Sequence, residues 1–530
     1  MKIVWSIAGS DSGAGAGLQA DLKTFEAFGV HGCTVVAAIT AQSSVAVTYI
    51  EAVSSEMLDA QLATLALDMP PAVIKTGMLG SANNLYVVAK WVDKLRETNP
   101  ALALVVDPVL GATTGASFAD EALLAAYREV LLPRTTIATP NAREASFLLG
   151  CEALASASQY QKAVQAMQRL GCQNVVITGG DATSNNCSDY ALTPHAHAAF
   201  EGWLSLPRVD TPHNHGTGCV FASSCAAALA LGFVPIEALV LAKMATTHAL
   251  RSGYAVGAGA GPVRPRDDFA WHVQNLPTLS SAYAPQALPT LAFKPLIDAD
   301  MGLYVIVDSA AWVERVLAAG VRTVQLRIKD SEPINLREEV KKSVASAKKW
   351  SAQLFINDHW QLAMSEGAYG VHIGQEDLEA IGQTVLQAIA DAGLRLGIST
   401  HAYFEVAKAW QIRPSYIACG PIHPTAAKAM PWIPQGNDNL AHWCRLLPLP
   451  VVAIAGMDTA RATEAAACGA ASVAVISAVT AAADPEGVIR ELQAAIALGR
   501  LISKWPVPNL ARSTLALDSR LRGNDMVTRG

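Results

Sequence analysis

The chain carries little charge for its length: of 530 residues, 16% are Asp, Glu, Lys or Arg, and the net balance is −6. That balance excludes the broad basic face that draws nucleic acid or anionic lipid, so neither partner is expected and any polyanion must be held locally. Cysteine is sparse and irregular, nine residues with no repeating spacing, which argues against a disulfide framework and for reduced thiols in the cytoplasm. No secretory leader is read at the start, where the apolar run of MKIVWSIAGSDSG meets Asp11 early. The long uncharged stretch over residues 466–483 is rich in Ala, Ser and Gly, and reads as helix end, buried strand and loop rather than a membrane span. What the chain does have is apolar bulk, 51% of its residues, enough for sizeable cores and too much for disorder.

Such a length exceeds one ordinary core, and two large domains are expected. Over residues 1–272 the short apolar runs KIVWSIAG, CTVVAAIT, AVIKTGM, ALVVDPV, TIATPN and NVVITGG alternate with helical stretches, the pattern of an open α/β domain. Residues 273–298 hold Pro277, Pro285, Pro289 and Pro295, lose the periodicity and read as a linker. From 299 to 500, eight apolar runs beginning at 303, 323, 353, 370, 395, 416, 451 and 471 predict a (β/α)8 barrel, with polar residues gathered at strand carboxyl ends. Residues 501–530 show no usable period and are expected to form a disordered tail.

Four features of the first domain bear chemistry. The glycine-rich GSDSGAGAGLQADLKTF, residues 9–25, links a strand to a helix, lets backbone approach a ligand and places Asp21 for a polar partner. Gln42 stands at a strand end, where its amide could bond a heterocycle or merely be solvated. Asn141 and Glu144 could share one Mg²⁺, or cap a helix. In HNHGTGC, Gly216-Thr217-Gly218 open a helix whose N–H groups suit a transferring phosphoryl group. Cys219 in that first turn is expected to have a lowered pKa and to act as base; a buried structural thiol is the alternative.

In family order, Gly-Ser-Asp…Gly-Ala-Gly-Leu-Gln-Ala-Asp-Leu-Lys-Thr-Phe, Ala-Gln, Lys-Thr-Gly-Met, Asp-Pro-Val, Thr-Pro-Asn and His-Gly-Thr-Gly-Cys resemble hydroxymethylpyrimidine and hydroxymethylpyrimidine phosphate kinases. The resemblance implies a ribokinase-like α/β fold and two successive ATP-dependent phosphorylations. It places Gly9, Asp21 and Gln42 at the pyrimidine, Lys75, Asp107, Asn141 and Glu144 at ATP and Mg²⁺, and Cys219 beside the Gly216-Thr217-Gly218 anion hole. Where the family usually reads Lys-Gly-Gly, this chain has Thr178, which removes a cation expected near the nucleotide.

In the second domain, VQLRIKD sends Gln325, Arg327 and Lys329 to one strand face. Two unpaired cations inside a barrel cost several kcal/mol, on the order of the penalty for buried charge, so the strand is an anion seat or half of a permanent salt-bridge network. Asp358 and Asp377 follow the next two strands, a spacing suited to Mg²⁺ bridged to a diphosphate. The ordered elements Gln-x-Arg-x-Lys, Asn-Asp, Gly-Gln-Glu-Asp, Ser, Gly-Pro-x-x-x-Thr, Gly and Ile-Ser resemble thiamine phosphate synthases, which are TIM barrels. By that resemblance Gln325, Arg327, Lys329, Asn357, Ser399 and Lys428 bind pyrimidine diphosphate, Asp358 and Asp377 bind Mg²⁺, and Thr425, Gly456, Ile476 and Ser477 bind thiazole phosphate. Ala427 departs from the family's second threonine in that loop.

The joint reading is one enzyme whose kinase makes the diphosphate that its barrel consumes, with hydroxymethylpyrimidine, ATP and thiazole phosphate as substrates, acting as a homo-oligomer. Two alternatives stand beside it: a pyridoxal-type kinase fused to a thiazole tautomerase-like barrel, or a chain with one half that only senses thiamine intermediates.

Overall fold

The computed structural model describes residues 1–111, 120–180, 184–195, 198–281, 291, 293–329, 333–424 and 433–503, and the chain divides between Gln286 and Ala287 into two units. In chain order the strands of the first unit are β1 (Ile3–Asp11), β2 (His31–Gln42), β3 (Val47–Ala52), β4 (Val73–Thr76), β5 (Ala103–Val106), β6 (Ile137–Ala138), β7 (Asn174–Ile177), β8 (Asn186–Thr193), β9 (Phe200–Pro207) and β10 (Thr278–Ser280). They form one sheet in the order β10-β9-β8-β7-β6-β5-β4-β1-β2-β3.

The six strands expected from apolar runs are the parallel centre, β2-β1-β4-β5-β6-β7. Covered on both faces, they read as continuous hydrophobic runs; β4 is buried along its whole length. The four antiparallel strands at the edges escaped notice because their sequences mix polar and apolar residues, as in the largely exposed β3. Chain order reverses between β1 and β4, which opens a crevice at their carboxyl ends, the place where open α/β sheets bind ligands.

The second unit is a closed barrel of eight parallel strands: β11 (Gly302–Val307), β12 (Thr323–Leu326), β13 (Gln353–Asn357), β14 (Gly370–Ile373), β15 (Arg395–Thr400), β16 (Tyr416–Cys419), β17 (Val451–Ala453) and β18 (Ser472–Val475). Tyr304, Phe355 and Tyr416 fill its interior. Gly397 on β15 makes room for them: a Cβ there would lie 2.1 Å from Tyr416 Cζ.

Three expectations need correction. The segment 273–298 is not a plain linker, because β10 pairs with β9 at one end, while at the other Leu296 joins the barrel core and Ser415 Oγ bonds the Lys294 carbonyl. The run VQLRIKD is a strand only through Leu326; Arg327 is half-buried and Lys329 exposed, so the two cations are not enclosed side by side. After β18 comes a short helix, Ser477–Thr480, rather than a loop. Among the described residues no helix is long and apolar enough to cross a membrane. The tail beyond Ser503 lies outside the described residues.

Replacing Gly397 by Ala should drive a methyl into the Tyr416 ring and cost about 1–3 kcal/mol, the usual penalty of overpacking; the midpoint of urea unfolding of the barrel measures it.

Two candidate active sites

The first site begins with Asp11 at the tip of β1. Its carboxylate accepts the amide N–H groups of Gly13 at 2.8 Å, Gly15 at 2.9 Å and Ala16 at 2.8 Å, which folds the glycine-rich loop around it. His215 Nε2 lies 3.2 Å from the same carboxylate and 3.1 Å from Gln42 Nε2. Burial opposes the Asp11 charge, but His215 and the three amides hold its pKa below the ordinary value. Gln42 is half-buried at this junction, and Gly9 sits where the β1–β2 register shifts.

Gly216 precedes the helix Thr217–Ala230 in the left-handed region at φ 86°, and a Cβ there would come within 2.0 Å of the Gly15 carbonyl, so only glycine closes this junction. The helix has no side-chain cap and no acid in its first turn, which leaves its positive end for an anion.

Beneath that turn lies a sealed charge cluster. Lys75 Nζ reaches Asp21 Oδ1 at 3.0 Å and Oδ2 at 2.9 Å, and both residues are fully buried. Ser6 Oγ and Ser223 Oγ donate to the same carboxylate at 2.5 and 2.6 Å. Burial works against the Lys75 charge, yet Asp21, then Cys219 and Asp107, hold its pKa above the usual lysine value. Asp107 Oδ2 faces Lys75 Nζ at 4.0 Å and is buried with no hydrogen bond among the described residues; burial pushes the Asp107 pKa up to about 6, Lys75 opposing and Asp21 adding to the rise.

The expected roles of Asp21, Lys75 and Cys219 fail here for physical reasons. Asp21 cannot touch a pyrimidine, because Lys75 and two serines occupy its oxygens in a sealed pocket. Lys75 is likewise turned to Asp21 rather than toward a nucleotide. The Cys219 thiol is pushed up to about 12, not down: burial dominates, Lys75 opposes it, and Asp21 and Asp107 reinforce it. Asn141 and Glu144 form a complete capping box, each side chain accepting the other's backbone N–H at 2.9 Å, so the pair caps a helix start. Thr178 bridges to Asn141 at the neighbouring strand end.

The second site lies at the barrel's carboxyl rim. Asn357 ends β13, and Asp358 follows it in the left-handed region at φ 60°. Asn357 Nδ2 donates to Asp358 Oδ2, while Asp358 Oδ1 is buried without a partner among the described residues. Burial and then the charge of Asp377, in the first turn of the helix Gln375–Asp391, push the Asp358 pKa up. Two acids that repel, one with an orphaned oxygen, fit a divalent cation. Among the described residues neither Arg327 nor Lys329 makes an ion pair, though Arg327 is near enough to stabilise the charged form of Asp358. Ser399 on β15 bonds His372 Nε2 at 2.8 Å. Gly456 turns at φ 71° beyond β17, and Ile476 and Ser477 begin the turn after β18. Thr425, Ala427 and Lys428 lie outside the described residues.

Comparison with known proteins follows the same division. Residues 11–264 match the family model of phosphomethylpyrimidine kinase and residues 303–479 that of thiamine monophosphate synthase. A probable thiamine biosynthetic bifunctional enzyme of Oryza sativa subsp. japonica is 33% identical over 508 residues, 92% of this chain and 87% of that protein. The chain belongs to the bifunctional thiamine biosynthetic enzymes. An Arabidopsis thaliana enzyme of this kind is 32% identical over 500 residues, 92% of this chain and 91% of that one. The thiamine-phosphate synthase of Klebsiella pneumoniae is 49% identical over 206 residues, 39% of this chain and 96% of that protein. The bifunctional enzyme thus combines a pyrimidine kinase, a phosphotransferase, with a thiamine phosphate synthase, and the alternatives of a tautomerase-like barrel or a sensing half are not favoured.

Asp11 and His215 of the bifunctional enzyme were not singled out in the sequence. They stand in Gly-Ser-Asp and His-Gly-Thr-Gly-Cys, but their contact spans 204 residues and no spacing displays it. His372, inside the run GVHIGQ, passed for a strand residue. Removing one partner of the sealed pair, as in Asp21→Asn, should destabilise the first unit by about 3–5 kcal/mol. Asp21→Leu combined with Lys75→Met should cost less than the two single changes summed, as chemical denaturation would record.

Proposed function

We propose that the first unit uses ATP to phosphorylate 4-amino-5-hydroxymethyl-2-methylpyrimidine and then its monophosphate, and that the barrel couples the diphosphate with (carboxy)thiazole phosphate to give thiamine phosphate. In the kinase, Gln42 lies beside the Asp11–His215 pair for the heterocycle, while the positive end of the helix Thr217–Ala230 faces the transferring phosphoryl group. Cys219 takes the substrate's hydroxyl proton as thiolate, a form that burial and two carboxylates make scarce at neutral pH. Asp107 Oδ2, which makes no hydrogen bond among the described residues and has Lys75 Nζ at 4.0 Å, would be the oxygen to hold a metal at this end of the sheet.

In the barrel, Asp358 and Asp377 would hold Mg²⁺. Bound there, the ion supplies positive charge against the leaving diphosphate. Arg327 and Lys329 add charge of the same sign, with Asn357 and Ser399 as hydrogen-bonding partners. As the C–O bond to diphosphate breaks, the pyrimidine methylene becomes cationic, and the thiazole nitrogen forms the new C–N bond without any side-chain nucleophile; diphosphate leaves, and a carboxylated thiazole phosphate also releases its carboxyl group as CO₂. The observation that carries this reading is the rim itself: Arg327, without an ion-pair partner among the described residues, near two acids of which one keeps a buried oxygen with no hydrogen bond among those residues.

A one-pot assay with hydroxymethylpyrimidine, ATP, Mg²⁺ and thiazole phosphate should yield thiamine phosphate by mass; no product would defeat the proposal. Asp358→Asn should lower coupling of supplied diphosphate on the order of 100-fold, as expected when several kcal/mol of charge stabilisation is lost, while the kinase is untouched. Because the folded-state thiol pKa lies far above neutrality, the kinase rate should climb with pH, about tenfold per unit while the thiolate is the minor form. A flat profile between pH 7 and 9, or near-normal phosphorylation by Cys219→Ala, removes Cys219 as the base.

A further inference from the structure

Five polar side chains cross the barrel interior in a single file. Gln325 Nε2 lies 3.1 Å from Tyr304 Oη, which lies 2.9 Å from Tyr416 Oη. Tyr416 Oη is 2.7 Å from His372 Nδ1, and His372 Nε2 is 2.8 Å from Ser399 Oγ. All but Ser399 are buried, packed beside Phe355, Ala418, Val452 and Ala474, and the His372 ring stacks on Tyr416 with centroids 5.7 Å apart. The two ends, on β12 and β15, are residues placed at the pyrimidine diphosphate.

Counting protons gives the file a direction. The Gln325 amide nitrogen can only donate, so Tyr304 accepts there and must donate to Tyr416. Tyr416 in turn donates to His372 Nδ1, which leaves the imidazole proton on Nε2, directed at Ser399 Oγ. A doubly protonated imidazole is incompatible with this file: with donors entering from both ends, one of the two tyrosine protons would have no acceptor, a costly orphan in an apolar interior. The opposite direction, with the amide carbonyl toward Tyr304, would make Ser399 give its proton inward to His372 and offer only lone pairs outward.

We propose that Tyr304, Tyr416 and His372 are positioning residues that set the polarity of the synthase site, holding the Ser399 hydroxyl as a donor to the anionic diphosphate and the Gln325 carbonyl as an acceptor for the pyrimidine's amino group. This deepens the assignment of Gln325 and Ser399 above and rests on it. An anion needs donors and an exocyclic amine needs an acceptor, and the forward file presents one of each at its ends. Gly397, two residues before Ser399, is the opening through which the central hydroxyl enters, since a Cβ there would lie 2.4 Å from Tyr416 Oη.

The test uses the full chain with ¹⁵N-labelled histidine, the His372 resonance being identified by its loss in His372→Asn. The expected spectrum shows His372 protonated on Nε2 and bare on Nδ1; protonation on Nδ1 would overturn the proposal. In steady-state coupling, Tyr416→Phe should raise KM for pyrimidine diphosphate about tenfold, the value of one charge-assisted hydrogen bond, and mix the two tautomers. Should Ser399→Ala raise KM while Tyr416→Phe leaves both KM and tautomer unchanged, the file carries no polarity, although Ser399 still binds diphosphate. Should Ser399→Ala leave KM unaltered, the diphosphate assignment itself fails, and the proposal with it.

Discussion

Charge withdrawn from water has to be answered by an opposite charge or a full set of hydrogen bonds, and that requirement shapes both halves of the chain. Parallel strands bring their carboxyl ends to one side of each fold while apolar flanks keep most of the solvent away. Whatever charge stands there is either neutralised at once, as Lys75 is by Asp21, or left without an ion pair among the described residues, as at Arg327. The difference separates scaffold from site. A sealed pair beneath the helix Thr217–Ala230 belongs to the scaffold of the crevice, whereas the rim of the barrel keeps a buried carboxylate oxygen with no hydrogen bond among the described residues.

How much of this could be read from the amino acids follows the same division. The parallel strands were legible because burial on both faces writes uninterrupted apolar runs, and the eight repeats of strand and helix announced the barrel. Edge strands such as β3, whose partners rather than their own sequence keep them in the sheet, were not. The acids expected after β13 and β14, Asp358 and Asp377, do stand near enough for the charge of one to raise the pKa of the other.

Residue roles that depend on three-dimensional company were read less well. Asp21 has the spacing of a ligand-facing acid, but Lys75, 54 residues away, claims it. Cys219 sits at a helix start, a position that by itself lowers a thiol pKa, yet the desolvation of its surroundings and two neighbouring acids reverse the sign. Asn141 and Glu144 show the ambiguity of a three-residue separation, which serves a capping box as readily as a metal. For Asp21 and Cys219 a local pattern was overruled by partners distant in the chain.

The backbone of Asp358 adds a filter of its own. A left-handed conformation is tolerated by aspartate, asparagine and glycine far better than by longer or branched residues. Glutamate would keep the negative charge and still be disfavoured twice, once by the main chain and once by an arm one methylene too long for the orphaned oxygen's place. Divergence at this tip is therefore channelled toward asparagine or glycine, exchanges that silence the acid rather than relocate it.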